Sequence, residues 1–130
     1  MQALHELTPE MIVRFTQIDY DREMAFIAIT DDEHKATELA VGRYLMNPDG
    51  QSVEFALVVA DDCHSLGIGT RLMTSLMQSA KAKGMIFFEG EVLAINHPML
   101  SLVTQLGFSI ESIGQDQDIV RVVKDLRLTY

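Results

Sequence analysis

The chain has 130 residues, 48% of them hydrophobic, and a formal net charge of −9. That length supports one domain with a real core, and the acidic balance argues against nucleic acid or an anionic membrane as partner, since both would be repelled. No apolar run approaches the roughly 18 residues of a membrane span, no basic-then-apolar signal opens the chain, and a lone Cys63 leaves no internal disulfide, so a cytoplasmic setting is expected.

In chain order, Thr8-Pro9-Glu10 reads as a helix cap, a proline at the first helical position and an acid in the first turn, which predicts a short helix running to about Thr16. Strands are expected over 23–30 and 37–46, and Asn47-Pro48-Asp49-Gly50 between the second of these and a strand over 52–60 is a turn that returns the chain antiparallel. Phe55-Ala56-Leu57-Val58-Val59 is apolar on both faces and belongs in the middle of a sheet. Ile68, Leu72, Met73, Leu76, Met77 and Ala80 then recur at helical spacing, with Lys81, Lys83 and Gly84 as a C-terminal stop and the methionines as core packing. A strand over 85–93 carries Glu89 and Glu91 on one face. Asn96, with Pro98 behind it, opens a second helix that ends at Gly107, and strands over 108–113 and 119–126 complete an α/β chain.

The chemistry concentrates at His64-Ser65-Leu66-Gly67-Ile68-Gly69-Thr70, where a glycine-rich turn joins the central apolar strand to a helix. Glycines at 67 and 69 would let backbone N–H groups approach the oxygens of a pyrophosphate, and the helix adds its positive end. A dinucleotide fingerprint would need a third glycine where Leu72 stands, and a nucleoside-triphosphate loop would need Gly-Lys-Ser/Thr, which does not occur. A glycine-rich helix start without a ligand is the bland alternative. His5, His34, His64 and His97 are not spaced as metal ligands, so no metal is expected, and the acidic pairs along the chain read mostly as solvated loop ends that would suit a cationic substrate.

His64-Ser65-Leu66-Gly67-Ile68-Gly69 resembles the Gln/Arg-x-x-Gly-x-Gly/Ala pyrophosphate turn of GNAT acetyl-CoA-dependent N-acetyltransferases, with His64 in place of the usual Gln or Arg. The order of elements is also similar to the GNAT core. Leu7-Thr8-Pro9-Glu10-Met11, residues 16–25, Glu54-Phe55-Ala56 and Gly90-Glu91-Val92-Leu93 with Asn96 resemble the acetyltransferase domain of bacterial protein-lysine acetyltransferases of the Pat type. The resemblance implies a mixed, mostly antiparallel sheet flanked by helices and an acetyl-CoA cosubstrate. It implies cofactor contacts from Leu57, Val58, Val59, His64, Ser65, Leu66, Gly67, Ile68, Gly69, Thr70 and Asn96, and acetyl transfer to a protein lysine, with acyl-CoA synthetases as acceptors.

Glu54 is the expected general base. It lies a few residues before the phosphate turn and matches the family's catalytic glutamate, and Glu91 is the reserve. An ordinary carboxylate near 4.3 is about six pH units below lysine, roughly 8 kcal/mol uphill, so burial, a desolvated amine and a relaying water must narrow the gap. Where many members of the family carry a tyrosine as general acid, this chain has Val103. Compared with the family, a strand and a helix are missing at the front, so the chain reads as part of a longer protein whose strand over 23–30 would be an open edge prone to self-association. Two other functions stay open: a non-catalytic acetyl-CoA-binding regulatory domain, and an N-acetyltransferase for a polyamine-like cation.

Overall fold

The structure, a computed structural model, describes residues 13–31, 36–60, 67–113 and 116–128. They form β1 (Val13–Asp19), β2 (Glu23–Asp31), β3 (Ala36–Met46), β4 (Ser52–Val59), α1 (Ile68–Ala82), β5 (Phe87–Leu93), α2 (His97–Gln105), β6 (Ser109–Ile113) and β7 (Asp116–Asp125), with a short 3-10 turn at Leu126–Leu128. The seven strands make one sheet in the order β1-β2-β3-β4-β5-β7-β6, so the apolar β4 is the middle strand, as its composition predicts. Every neighbouring pair is antiparallel except β4 and β5, which run parallel because α1 carries the chain back across the sheet.

Local chemistry explains most of the boundaries. Asp49 makes the hairpin between β3 and β4: its carboxylate accepts from the backbone N–H groups of Gln51 and Ser52 and from the Ser52 hydroxyl, all within 2.9 Å. Those bonds hold the Asp49 carboxyl below its usual pKa, the bond from Gln51 contributing most. Both helices end where a glycine takes a left-handed conformation, Gly84 and Gly107. On α1 the face formed by Leu72, Met73 and Leu76 is completely buried against β2, β3 and β4, and each such side chain contributes roughly 1.5–3 kcal/mol. The hydroxyl of the buried Tyr44 on β3 pins that helix through Ser79 at 2.8 Å. At the end of the core near the chain reversal, Phe55, Phe88 and Phe108 pack as one aromatic cluster.

One expectation fails at the front of the sheet. The helix start at Thr8 lies outside the described residues, but residues 13–16, expected to complete that helix, are extended and pair with β2 from Val13↔Thr30 to Asp19↔Met24. The alternation of Val13, Phe15 and Gln17 with β-branched Thr16 and Ile18 favours a pleated strand over a helix. Consequently β2 is not an edge: the open edge beside 25–30 is covered by β1, and Arg71 of α1 stacks over the Phe15 ring at 4.0 Å. Among the described residues no helix is long and apolar enough to cross a membrane.

Candidate functional site

The site begins where two parallel strands part. Pairing between β4 and β5 covers Ser52↔Phe87, Val53↔Phe88 and Glu54↔Glu89 and then stops, although both strands continue. Beyond Glu54 the backbone of 55–59 therefore turns one row of N–H and C=O groups toward a widening split instead of toward a neighbouring strand. Gly90, the first residue past the last pair on β5, faces the Phe55 ring, and a Cβ there would lie 2.7 Å from it.

On the helix-bearing face, beside the unpaired part of β4, lies a cleft of about 350 Å³ walled by Leu57 and Val59 of β4, Gly69 and Thr70 of α1, and Pro98, Met99, Ser101, Leu102 and Gln105 of α2. Of the residues expected to hold a cofactor, Leu57, Val59, Gly69 and Thr70 thus share one cavity. Ile68 is buried at the start of α1, whereas Val58 points to the other face of the sheet and is 70% exposed. His64, Ser65 and Leu66 lie outside the described residues.

The first turn of α1 suits an anion. Its N-cap is Gly67, which has no side chain to satisfy the free N–H groups, and no acidic residue occupies the first turn. Gly67 has φ +77, a conformation other residues resist, and among the described residues nothing beyond its chain neighbours lies within 4 Å of where its Cβ would be. Gly69 differs from the expectation that both glycines serve backbone approach: it is already helical and buried, and a Cβ there would meet Leu102 at 3.3 Å and Val59 at 3.5 Å. Its smallness lets α1, α2 and β4 close around the cleft. Asn96 caps α2, its Oδ1 accepting from the Met99 N–H at 3.2 Å, so one of its two possible roles is realised. Val103 is completely buried in the core and offers no acid.

The opposite face of the sheet carries the charged groups. Glu54, at the apex of the split, receives two hydrogen bonds from Arg121 of β7: Nη2 to Oε1 at 2.6 Å and Nη1 to Oε2 at 3.3 Å. The same Nη2 donates to Glu89 Oε1 at 2.6 Å, and Nη1 lies 3.5 Å from Glu91 Oε2. Three carboxylates therefore surround one guanidinium, whose pKa is driven further above its ordinary value, chiefly by the bond to Glu54, against burial and with help from Glu89. Around this cluster the sheet face is apolar and open, with Leu45, Val58 and Leu93 each more than half exposed. Among the described residues no group of histidine, cysteine and carboxylate side chains is arranged to hold a metal ion.

Arg121 and the α2 wall of the cleft are the parts that reading the chain alone misses. Arg121 had one local signal, a single charge inside the otherwise apolar run 119–123, but only the register of β7 against β5 brings it over Glu91 and within reach of Glu54. Nothing in the spacing of Pro98, Ser101 and Gln105 marks them as cleft residues.

Comparison with known proteins adds the family. The profile described as Acetyltransferase (GNAT) family matches residues 3–108. An acetyltransferase of Pseudomonas aeruginosa is 29% identical over 127 residues, which make up 96% of this chain and 66% of that protein; the chain thus spans just under two thirds of the curated relative's length. Among solved structures, the GNAT domain of PAT from S. lividans gives a TM-score of 0.68 at 22% identity, covering 86% of this chain and 65% of that one. The Salmonella typhimurium protein yncA, solved with its cofactor acetyl-CoA, gives 0.66 at 16% identity over 80% of this chain and 65% of the other. These two likenesses bear on the fold.

Proposed function

The chain belongs to the GNAT acetyltransferase family, and from that premise we propose that it transfers an acetyl group from acetyl-CoA to the ε-amine of a protein lysine, with Glu54 accepting the proton that the amine gives up. The observation that carries this reading is the end of β4–β5 pairing at Glu54↔Glu89. It sets a carboxylate at the last paired position, where the two strands part, a few residues before the Leu57 and Val59 that wall the cleft.

The residues present fit the cofactor. Uncapped N–H groups at the start of α1, from Gly67 to Thr70, would receive phosphate oxygens, with His64, Ser65 and Leu66 leading into them. The unpaired backbone edge at Leu57, Val58 and Val59 would orient the pantetheine arm with help from Asn96, and Leu57, Val59, Met99 and Leu102 would exclude water from it. Acetyl-CoA, when bound, supplies an acetyl group activated as a thioester, whose thiolate leaves with little need of an acid because a thiol ionises near 8.5, in keeping with an apolar Val103. Glu54 retains lone pairs beyond those engaged by Arg121 and takes the amine proton directly or through a water.

The shape of the acceptor side favours a protein-borne lysine over a small polyamine. Small ligands are enclosed in concave pockets, whereas Glu54 opens on a broad sheet face bordered by exposed Leu45, Val58 and Leu93. Three carboxylates against one guanidinium leave that face attractive to an ammonium. An acyl-CoA synthetase in the cytoplasm is the acceptor that the Pat-type resemblance favours. The test is Glu54→Gln: turnover falls about 100-fold, with acetyl-CoA affinity unchanged and partial recovery at high pH, where more lysine is already neutral. Parental turnover in this variant at neutral pH would move the base to Glu91 or to solvent.

A further inference from the structure

We propose that Arg121 is a positioning residue for acyl transfer, fixing the Glu54 carboxylate across the apex of the split between β4 and β5. The inference rests on the reading of Glu54 as proton acceptor. It is carried by geometry. In the sheet order β4-β5-β7, Arg121 is two strands away from Glu54, and with neighbouring strands about 4.8 Å apart the two side chains together span roughly 10 Å of sheet. They meet over β5, with two N–H donors of the guanidinium on the two oxygens of one carboxylate. That fork is matched by guanidinium geometry and cannot be reproduced by a lysine.

The surrounding charges explain why such a clamp is needed. Glu54 and Glu89 sit directly opposite one another on parallel strands, with Glu91 on the same face, so without a cation the carboxylates would repel and rotate apart into solvent. Arg121 Nη2 bridges Glu54 and Glu89 at 2.6 Å to each and replaces that repulsion by one shared donor. From β3 the partner opposite Glu54 is the apolar Leu45, and the nearest cation on that strand, Arg43, is turned to Glu23 at 3.9 Å. From β6 the residue opposite Arg121 is the exposed Glu111. The guanidinium, three-quarters buried, is carried by a strand rather than by a loop.

The test is a double-mutant cycle in the full-length protein with Glu54→Gln, Arg121→Gln and their combination, plus Arg121→Lys. Turnover at saturating acetyl-CoA is measured from acid to alkaline pH beside thermal melts. Arg121→Gln is expected to lower kcat about 10-fold, with KM for acetyl-CoA changed less than about 2-fold. Arg121→Lys, which keeps the charge without the fork, restores part of the rate. Added to Glu54→Gln, Arg121→Gln costs less than about 2-fold, since it acts through the group already removed. Parental kcat in Arg121→Gln, or an equal loss in both backgrounds, overturns the proposal. If Arg121→Gln fails to fold, a folded Arg121→Lys with parental kcat overturns it. A fully active Glu54→Gln removes the base reading and this inference with it, whereas an inactive Glu54→Gln beside a parental Arg121→Gln removes this inference alone.

Discussion

Replacing Gly90 by alanine tests the packing that sets the apex of the split. A Cβ at that position would lie 2.7, 2.8 and 2.9 Å from three carbons of the Phe55 ring. The ring has little room to retreat, because it stacks on Phe88 at 5.0 Å with an interplanar angle of 9° and meets the edge of Phe108 at 5.8 Å. Forcing a methyl group into such a core costs about 1–3 kcal/mol, while exchanging a glycine for alanine returns about 0.5–1 kcal/mol through the unfolded chain. With three contacts under 3.0 Å the packing cost lies in the upper part of its range, about 2–3 kcal/mol, so the net loss is about 1–2 kcal/mol, or roughly 4–8 °C in Tm for a chain of this size. Thermal melts of Gly90→Ala, of Phe55→Leu and of the pair decide the matter, since a smaller residue at 55 makes room and should erase most of the alanine penalty. A Gly90→Ala protein melting within about 1 °C of the parent, or a penalty unchanged by Phe55→Leu, would refute the reasoning.

Other predictions follow from single contacts. Gly67→Val is expected to lose coenzyme A binding by calorimetry; because among the described residues no atom beyond its chain neighbours lies within 4 Å of a Cβ there, the loss reports the left-handed backbone and the ligand, and a folded variant that binds as tightly as the parent would contradict it. Tyr44→Phe removes the 2.8 Å bond to Ser79 from a completely buried ring and should cost about 1 kcal/mol in denaturant melts, an unchanged midpoint being the contrary result. Asp49, held below the ordinary aspartate pKa by Gln51 and Ser52, stabilises the hairpin fully above that ordinary value and loses its contribution as the pH falls through the lowered folded one. Asp49→Asn should therefore flatten the acid side of the stability curve, and identical acid melts of the two proteins would remove that account.

Much of the architecture is legible along the chain because its signals are local. The boundaries of α1 and α2 follow from Gly67, Gly84, Asn96, Pro98 and Gly107, and the hairpin from Asp49 and Gly50, each a conformational or capping requirement confined to a few neighbours. The strand β1 was hidden by a helix start at Thr8: capping residues announce where a helix begins and say nothing about how far it runs, while Val13, Phe15, Thr16 and Ile18 favour extended backbone. At the site, Glu54 could be singled out from its place before the phosphate turn. Its partner could not. Arg121 follows 67 residues later, and its meeting with Glu54 depends on the sheet order that inserts β5 between the two strands, a property of long-range register that no local pattern encodes.

The central claim is tested most directly by incubating the full-length protein with isotopically labelled acetyl-CoA and a candidate acyl-CoA synthetase, beside a polyamine control. Thiol release and peptide mass are followed together. The account predicts label on a lysine side chain of the protein acceptor, one thiol released per acetyl group transferred, and loss of both signals in Glu54→Gln. Tight acetyl-CoA binding with no acetyl transfer to either acceptor, or equal transfer by Glu54→Gln, would contradict it.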